Sequence, residues 1–194
     1  MLKNERNFSL ILSSPSGAGK TTLTKKIKDN FTNFEISISH TTRKARIGEI
    51  EGKDYFFTTV EDFKEKIESN YFYEYASIFG NLYGSSKHYI KLIQQQNKNL
   101  LFDIDWQGAR QLSNYRELNV VKFFILPPSK DELIKRLKLR RKDKEKSIIE
   151  RVSFYEKDII HWKEYDYIFI NDDLETCYSQ IKTTIDQLLN KKFY

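Results

Sequence analysis

The stretch that decides the fold is Asn7-Phe8-Ser9-Leu10-Ile11-Leu12-Ser13-Ser14-Pro15-Ser16-Gly17-Ala18-Gly19-Lys20-Thr21-Thr22. Its first half, residues 7–14, is a short apolar run that predicts a buried strand. A helix is predicted from Lys20 to Asp29. Between them lie two glycines, in a chain that has only 7 glycines and 3 prolines. Gly17 and Gly19 let consecutive backbone N–H groups turn inward around an anion. The helix N-terminus adds its partial positive charge at the same point. This is the phosphate-loop pattern, with Ser14 where the first glycine is expected. Lys20 can reach the β- and γ-phosphates of a nucleotide, and the Thr21 hydroxyl can ligate Mg²⁺. Strand, loop, Lys-Thr pair and helix in register weigh against a turn that merely caps a helix. The segment Ser14, Pro15, Ser16, Gly17, Ala18, Gly19, Lys20, Thr21 and Thr22 is therefore expected to hold a nucleoside triphosphate.

Outward from this loop, apolar runs alternate with helical patterns. Residues 99–105 (NLLFDID), 119–126 (NVVKFFIL) and 165–171 (YDYIFIN) predict further short strands. Helices are expected near 107–114, 130–140, 146–163 and 173–190. Ser129 and Glu132 form a capping box just after Pro127-Pro128 ends a strand. Strands and helices in this alternation imply an α/β fold, a parallel sheet flanked by helices on both faces. The stretch 34–90 breaks the pattern, with β-like pieces at 54–57 and 72–79, a helix near 60–69 and four of the glycines. It predicts a small mixed α+β subdomain inserted into a single domain, the core being 1–33 and 91–194.

Composition narrows the function classes. At 39% hydrophobic and 31% charged residues, the chain is ordinary for a soluble globular protein. No apolar run approaches the roughly 18 residues of a membrane span. The start, MLKNERNFSL, has no export signal, and Cys177 stands alone; a reducing cytoplasm is expected, with Cys177 a small buried hydrophobe. The three histidines share no metal-ligand spacing, and Trp106 is expected in the core. Net charge is +6, but residues 135–151 hold nine Lys/Arg against three Asp/Glu and account for all of it. A general polyanion binder spreads its charge along a face, so nucleic acid is not an expected partner. One concentrated basic segment suits a small, highly charged anion. Beside a phosphate loop, Arg136, Arg140 and Arg151 flanking RKDKEK (141–146) predict a closable lid over 136–151. Its arginines would stabilise charge on a migrating phosphoryl group and exclude water.

The inserted stretch contains SISHTTRKARIGEIEGKDYFF (37–57) and YEYASIFGNLYGSS (73–86), and just beyond it lies DIDWQGA (103–109). Together with the phosphate loop these resemble the guanylate kinases, in order and with compatible spacing from about residue 8 to about 175. The resemblance implies a P-loop core sheet, a GMP-binding subdomain and a helical lid. The reaction it implies is ATP + GMP to ADP + GDP, with Mg²⁺ accompanying ATP. It places Glu74 against the guanine N1–H and N2 amino donors, where a carboxylate offers two parallel acceptors and adenine would be refused. Ser39, Ser85 and Asp105 match positions completing base recognition. Arg43 and Arg46, with Tyr55 and Tyr83, match those holding the GMP phosphate, for which paired planar guanidinium forks suit a dianion. Asp103 matches a position orienting the Mg²⁺ shell through water, and Asn171 one that contacts adenine. Lys20, Arg43, Arg136, Arg140 and Arg151 are the expected catalytic group. Two departures stand out: Ser14 in the loop, and Arg141-Lys142 where the family usually has glycine after Arg140. His40 occupies a SxxTTR frame where a small hydroxyl residue is frequent.

Three other readings compete. A guanylate kinase-like protein-binding module would keep the fold without an intact phosphate loop, whereas Lys20, Thr21 and the arginines are all present. A P-loop kinase acting on a sugar phosphate would leave Glu74, Ser85 and Asp105 with no guanine to read. Nucleic-acid binding comes last, because charge outside 135–151 is balanced. Homo-oligomerisation is left open by the sequence.

Overall fold

Ser9–Ser13 (β1) is buried at every position, and its central Leu10-Ile11-Leu12 suits a strand covered on both faces. In the computed structural model, which describes residues 7–139 and 145–190, β1 is the middle of a five-stranded sheet. Lys20–Asn30 (α1) follows, then Phe34–Ile36 (β2), His40–Thr41 (β3), Phe56–Phe57 (β4), Val60–Glu68 (α2), Phe72–Ile78 (β5), Asn81–Ser86 (β6) and Lys87–Gln95 (α3). The chain continues through Asn99–Asp103 (β7), Trp106–Leu112 (α4), Val120–Leu126 (β8), Lys130–Leu139 (α5) and Glu145–Ile159 (α6). A 3₁₀ turn at Ile160–Glu164, Tyr167–Ile170 (β9) and Leu174–Asn190 (α7) complete it.

The core sheet has the order β2-β7-β1-β8-β9, and every pairing in it is parallel. Alternation along the strands divides the interior. Leu10, Leu12, Leu101, Phe123 and Ile125 face α1 and α7, where they meet Leu23, Ile27, Ile181 and Ile185. Cys177 is buried in this layer, as expected of a lone thiol, and burial pushes its pKa up to about 11. Ile11, Leu100 and Phe102 face the other way, toward Ile90 and Ile93 of α3 and Ala109 and Leu112 of α4. A smaller cluster joins Leu133 and Leu137 of α5 to Tyr155 of α6. Each of these fully covered large side chains contributes about 1.5–3 kcal/mol by leaving water.

A second sheet, order β4-β3-β6-β5, is mixed. β3 runs parallel to β4 and antiparallel to β6, and β5 and β6 form a hairpin. Its buried side carries Phe63 of α2 stacked on Phe72, with ring centroids 4.6 Å apart. His40 sits among Phe56, Tyr71 and Phe72. Burial lowers the His40 pKa to about 4, with the nearby Lys66 ammonium adding to the effect; it is a neutral core residue here.

Three elements differ from the sequence reading. Phe34–Ile36 belongs to the core sheet, paired with β7, so the separate sheet begins at His40 and not at 34. A three-residue edge strand is too short to show a period, and only its pairing with Asn99–Leu101 declares it. Helix α3 crosses the expected boundary at 90; the Ser86 hydroxyl caps it by accepting from Tyr89 N–H at 3.1 Å. The helix predicted over 146–163 ends at Ile159 and tightens into the 3₁₀ turn. Arg140 and most of the RKDKEK stretch fall outside the described residues.

Candidate active site

The loop from Ser14 to Gly19 turns because two of its residues are glycines at positive φ, 101° at Gly17 and 100° at Gly19. A methyl group at Gly17 would press on Leu137 at 3.0 Å, and one at Gly19 would overlap the Asn171 amide. Asn171 is buried, and its Nδ2 donates to Ala18 O at 2.7 Å. The end of β9 is thereby tied to the loop. Lys20 opens α1 and turns toward the end of β7, where its ammonium pairs with the Asp103 carboxylate and reaches Ile104 O at 3.3 Å.

A cleft of about 480 Å³ lies between the loop and the second sheet. From the loop side come Ser14, Ser16, Gly17, Gly19, Lys20 and Thr21. The second sheet and its loops contribute Ser39, Arg43, Arg46, Tyr55, Glu74 and Tyr83. Asp103, Asp105 and Arg151 of α6 also line the cleft. Most of the residues named from sequence thus surround one space, although they come from segments up to 137 positions apart.

The two walls differ in chemistry. Glu74 is buried, and Ser85 Oγ donates to its Oε1 at 2.6 Å. Ser85 therefore stands behind the carboxylate and does not line the cleft. Burial is the main cause that raises the Glu74 pKa, to about 7; the nearby Asp105 pushes the same way, against the Ser85 hydrogen bond. Asp105 has a structural duty as well: it caps α4, Oδ1 accepting from Gln107 N–H at 3.0 Å and Gly108 N–H at 3.1 Å. Arg43 is held by Glu49 at 2.8 Å and lies 5.2 Å over the Tyr55 ring. Burial disfavours its charge, but Glu49 and Tyr83 outweigh that and raise its pKa. Glu49 also accepts from the Arg46 N–H at 2.8 Å, which sets the loop carrying both arginines. Nothing in the residue pattern singled out Glu49 from the other acids of that segment.

Some expected residues stand elsewhere. Pro15 and Ala18 are buried beneath the loop. Arg136 is not in the main cleft: it donates to Asn171 O at 2.7 Å and Asp172 O at 3.0 Å. With Thr22 and Asn171 it lines a second, smaller pocket of about 240 Å³ on the far side of Gly17 and Gly19. Arg140 lies outside the described residues. Trp106, expected in the core, instead lines the cleft and stacks on His161 at 3.7 Å. An aromatic next to a helix cap is indistinguishable in sequence from a core anchor. Asp158 of α6, not singled out in the sequence, faces the same space; burial raises its pKa to about 6, with Asp105 adding repulsion and the Trp106 indole N–H opposing.

Helix α6 also meets the tip of the β5–β6 hairpin. Phe79 and Gly80 both have positive φ, 49° and 73°, the geometry of a type I′ turn. Phe79 packs edge-on against Phe154 at 5.1 Å, and the Arg151 guanidinium lies 5.4 Å over its ring. Arg151 Nη1 donates to Ser16 Oγ at 2.7 Å. One helix therefore touches both the phosphate loop and the opposite wall.

The chain is similar to known proteins in sequence and in fold. The family model described as "Guanylate kinase" matches residues 6–188. The chain is 44% identical over 179 residues to the guanylate kinase of Novosphingobium aromaticivorans, covering 92% of this chain and 81% of that protein. It is 42% identical over 192 residues to the guanylate kinase of Rickettsia felis, covering 99% of each. The crystal structure of guanylate kinase from Anaplasma phagocytophilum superposes with a TM-score of 0.80 at 34% identity, over 99% of this chain and 90% of that one. The SH3-kinase fragment of tight junction protein 3 shares the fold alone, with a TM-score of 0.51 at 12% identity. With the family model spanning nearly the whole described chain and close relatives of matching length, the chain belongs to the guanylate kinase family.

Proposed function

We propose that the chain transfers the γ-phosphoryl group of ATP to GMP, giving ADP and GDP. The observation that carries this reading is a single cleft with a phosphate loop on one wall and a buried carboxylate, Glu74, on the other. Anionic Glu74 presents two acceptors to the N1–H and N2 amino donors of guanine, and Ser85 fixes its orientation. A base with an acceptor at N1 leaves the carboxylate unpaired, a costly mismatch in a buried site. Ser39 also lines the cleft and is proposed to complete the base pocket. Arg43 and Arg46, with Tyr55 and Tyr83, bind the GMP phosphate, and Glu49 keeps Arg43 charged and aimed.

On the ATP side, the N–H groups around Gly17 and Gly19 cradle the phosphates. Lys20 exchanges Asp103 for the β- and γ-phosphates as ATP enters. Arg136, Asn171 and Thr22 sit around the smaller pocket, which suits the adenine end of the donor. Arg136 is accordingly a donor-binding residue. Arg151 reaches the loop from α6 and meets charge building on the migrating group. The GMP phosphate is already an anionic nucleophile, so no strong base is required; positioning and electrostatic stabilisation carry the step. The donor set near the loop fits Mg²⁺: the Thr21 hydroxyl and the Asp103 carboxylate, both hard oxygens, line the cleft. Thr21 would hold it directly and Asp103 through water. When bound, it neutralises charge on the β- and γ-phosphates.

No helix among the described residues is long and apolar enough to cross a membrane, and the reaction is proposed to take place in the cytoplasm. The test is ADP release with GMP, AMP, UMP and CMP offered separately as acceptors. GMP is expected to be used fastest by a wide margin; equal or faster turnover of another acceptor overturns the reading.

A further inference from the structure

Gly108 is the third residue of α4, and its φ lies outside the positive range, so its backbone does not require glycine. Alanine is the better helix former at such a position. The reason for glycine lies opposite. A Cβ built on Gly108 would overlap Glu74 Oε2, stand 3.1 Å from Glu74 Cδ, and stand 3.1 Å from Ile104 Cδ1. The Glu74 carboxylate is thus fixed on two sides. Ser85 donates to Oε1 at 2.6 Å, while Oε2 rests in the space left by the missing side chain of Gly108. Helix α4 is held at this distance independently. Gln111 Nε2 donates to Tyr75 O at 2.8 Å, and Gln111 Oε1 accepts from Tyr75 N–H at 3.2 Å. The Asp105 cap fixes the helix start, one turn away.

We infer that Gly108 is a positioning residue for base selectivity: its lack of a side chain sets where the Glu74 carboxylate stands, without Gly108 touching the substrate. This rests on the reading of Glu74 as the guanine-recognising group. A methyl group at 108 has no room to displace the helix, which the Gln111–Tyr75 pair and the Asp105 cap hold to β5. It displaces the carboxylate instead. The effect is specific to the length of residue 74, because an aspartate there retreats by one methylene and vacates the space.

The test is a cycle of Gly108→Ala, Glu74→Asp and the double variant, with Glu74→Ala as reference. Gly108→Ala is expected to raise KM for GMP about tenfold or more, with KM for ATP unchanged and thermal stability kept or raised in the Glu74→Asp background. Glu74→Asp alone also raises KM for GMP, but adding Gly108→Ala to it causes no further loss. That non-additivity is the signature of two groups competing for one space. If Gly108→Ala leaves KM for GMP within twofold of the parent while Glu74→Ala raises it, the inference is overturned and the reading of Glu74 stands. Equal losses from Gly108→Ala in both backgrounds overturn it too. If Glu74→Ala leaves GMP selectivity intact, the reading of Glu74 itself fails.

Discussion

Arg151 Nη1 and Ser16 Oγ are 2.7 Å apart, joining helix α6 to the phosphate loop. The guanidinium that reaches the loop also lies over Phe79 at the tip of the opposite hairpin. A cation so placed acts on charge that develops between the two substrates. Arg151→Ala is expected to lower kcat about 100-fold, with KM for GMP changed by much less. Steady-state kinetics with both substrates varied checks this. A pure KM effect would instead make Arg151 a ground-state binding residue.

Phe79 occupies a left-handed position that favours Asn or Gly. Phe79→Asn gives the hairpin an Asn-Gly turn and removes the ring that packs on Phe154. Melting temperature is expected to hold or rise while kcat falls several-fold. Parallel thermal melts and turnover assays separate the two. A variant that loses stability and keeps full activity would show that the ring serves the hairpin and not the contact with α6.

The Glu74 pKa, raised to about 7 mainly by burial, gives a pH dependence with a defined sign. Guanine needs the anionic form, so GMP affinity should fall as pH drops below about 7, by up to tenfold per unit. GMP binding in that range releases a proton, visible as a buffer-dependent heat in calorimetry. Glu74→Gln should remove the Glu74 component, leaving only the titration of the GMP phosphate. The stability effect runs the other way. Between about 4.5 and 7 the folded state holds the proton more tightly than the unfolded, so this group lowers stability as pH rises through that window. Glu74→Gln should therefore be more stable than the parent above pH 7, by about 1–3 kcal/mol in chemical denaturation.

Lys20 and Asp103 form an ion pair that ATP must open. Lys20→Ala is expected to abolish turnover. Asp103→Asn keeps the shape and releases the lysine, so nucleotide affinity without Mg²⁺ should hold or rise. The Mg²⁺ concentration for half-maximal rate should rise about tenfold or more, as loss of an outer-sphere partner does elsewhere. Titrating Mg²⁺ at fixed ATP reads this directly. An unchanged Mg²⁺ requirement would remove Asp103 from the metal's surroundings.

The parts of the fold legible in sequence were those fixed by local order. The loop around Gly17 and Gly19 is contiguous, and its φ values leave little choice of residue. The runs that became β1, β7 and β8 each carry a buried apolar stretch, Leu10–Leu12, Leu100–Phe102 and Phe123–Ile125, covered on both faces. Phe34–Ile36 was not legible as a core strand, because its membership depends on register with Asn99–Leu101. Pocket membership failed for similar reasons. Arg136 is drawn to the carbonyls of Asn171 and Asp172, some 35 positions away in the chain. Trp106 lines the cleft and stacks on His161, 55 positions away in the chain. Neither partnership leaves a mark in the local pattern.

The strand order has a consequence for synthesis. β1 is translated first yet lies in the middle of the sheet, between β7 and β8. Neither neighbour exists until Asn99–Asp103 and Val120–Leu126 have been made. At roughly 5–20 residues per second of chain elongation, the apolar run Phe8–Leu12 waits on the order of 5–20 s with both edges unpaired. For that interval the nascent chain carries an apolar strand with both edges open to wrong pairing.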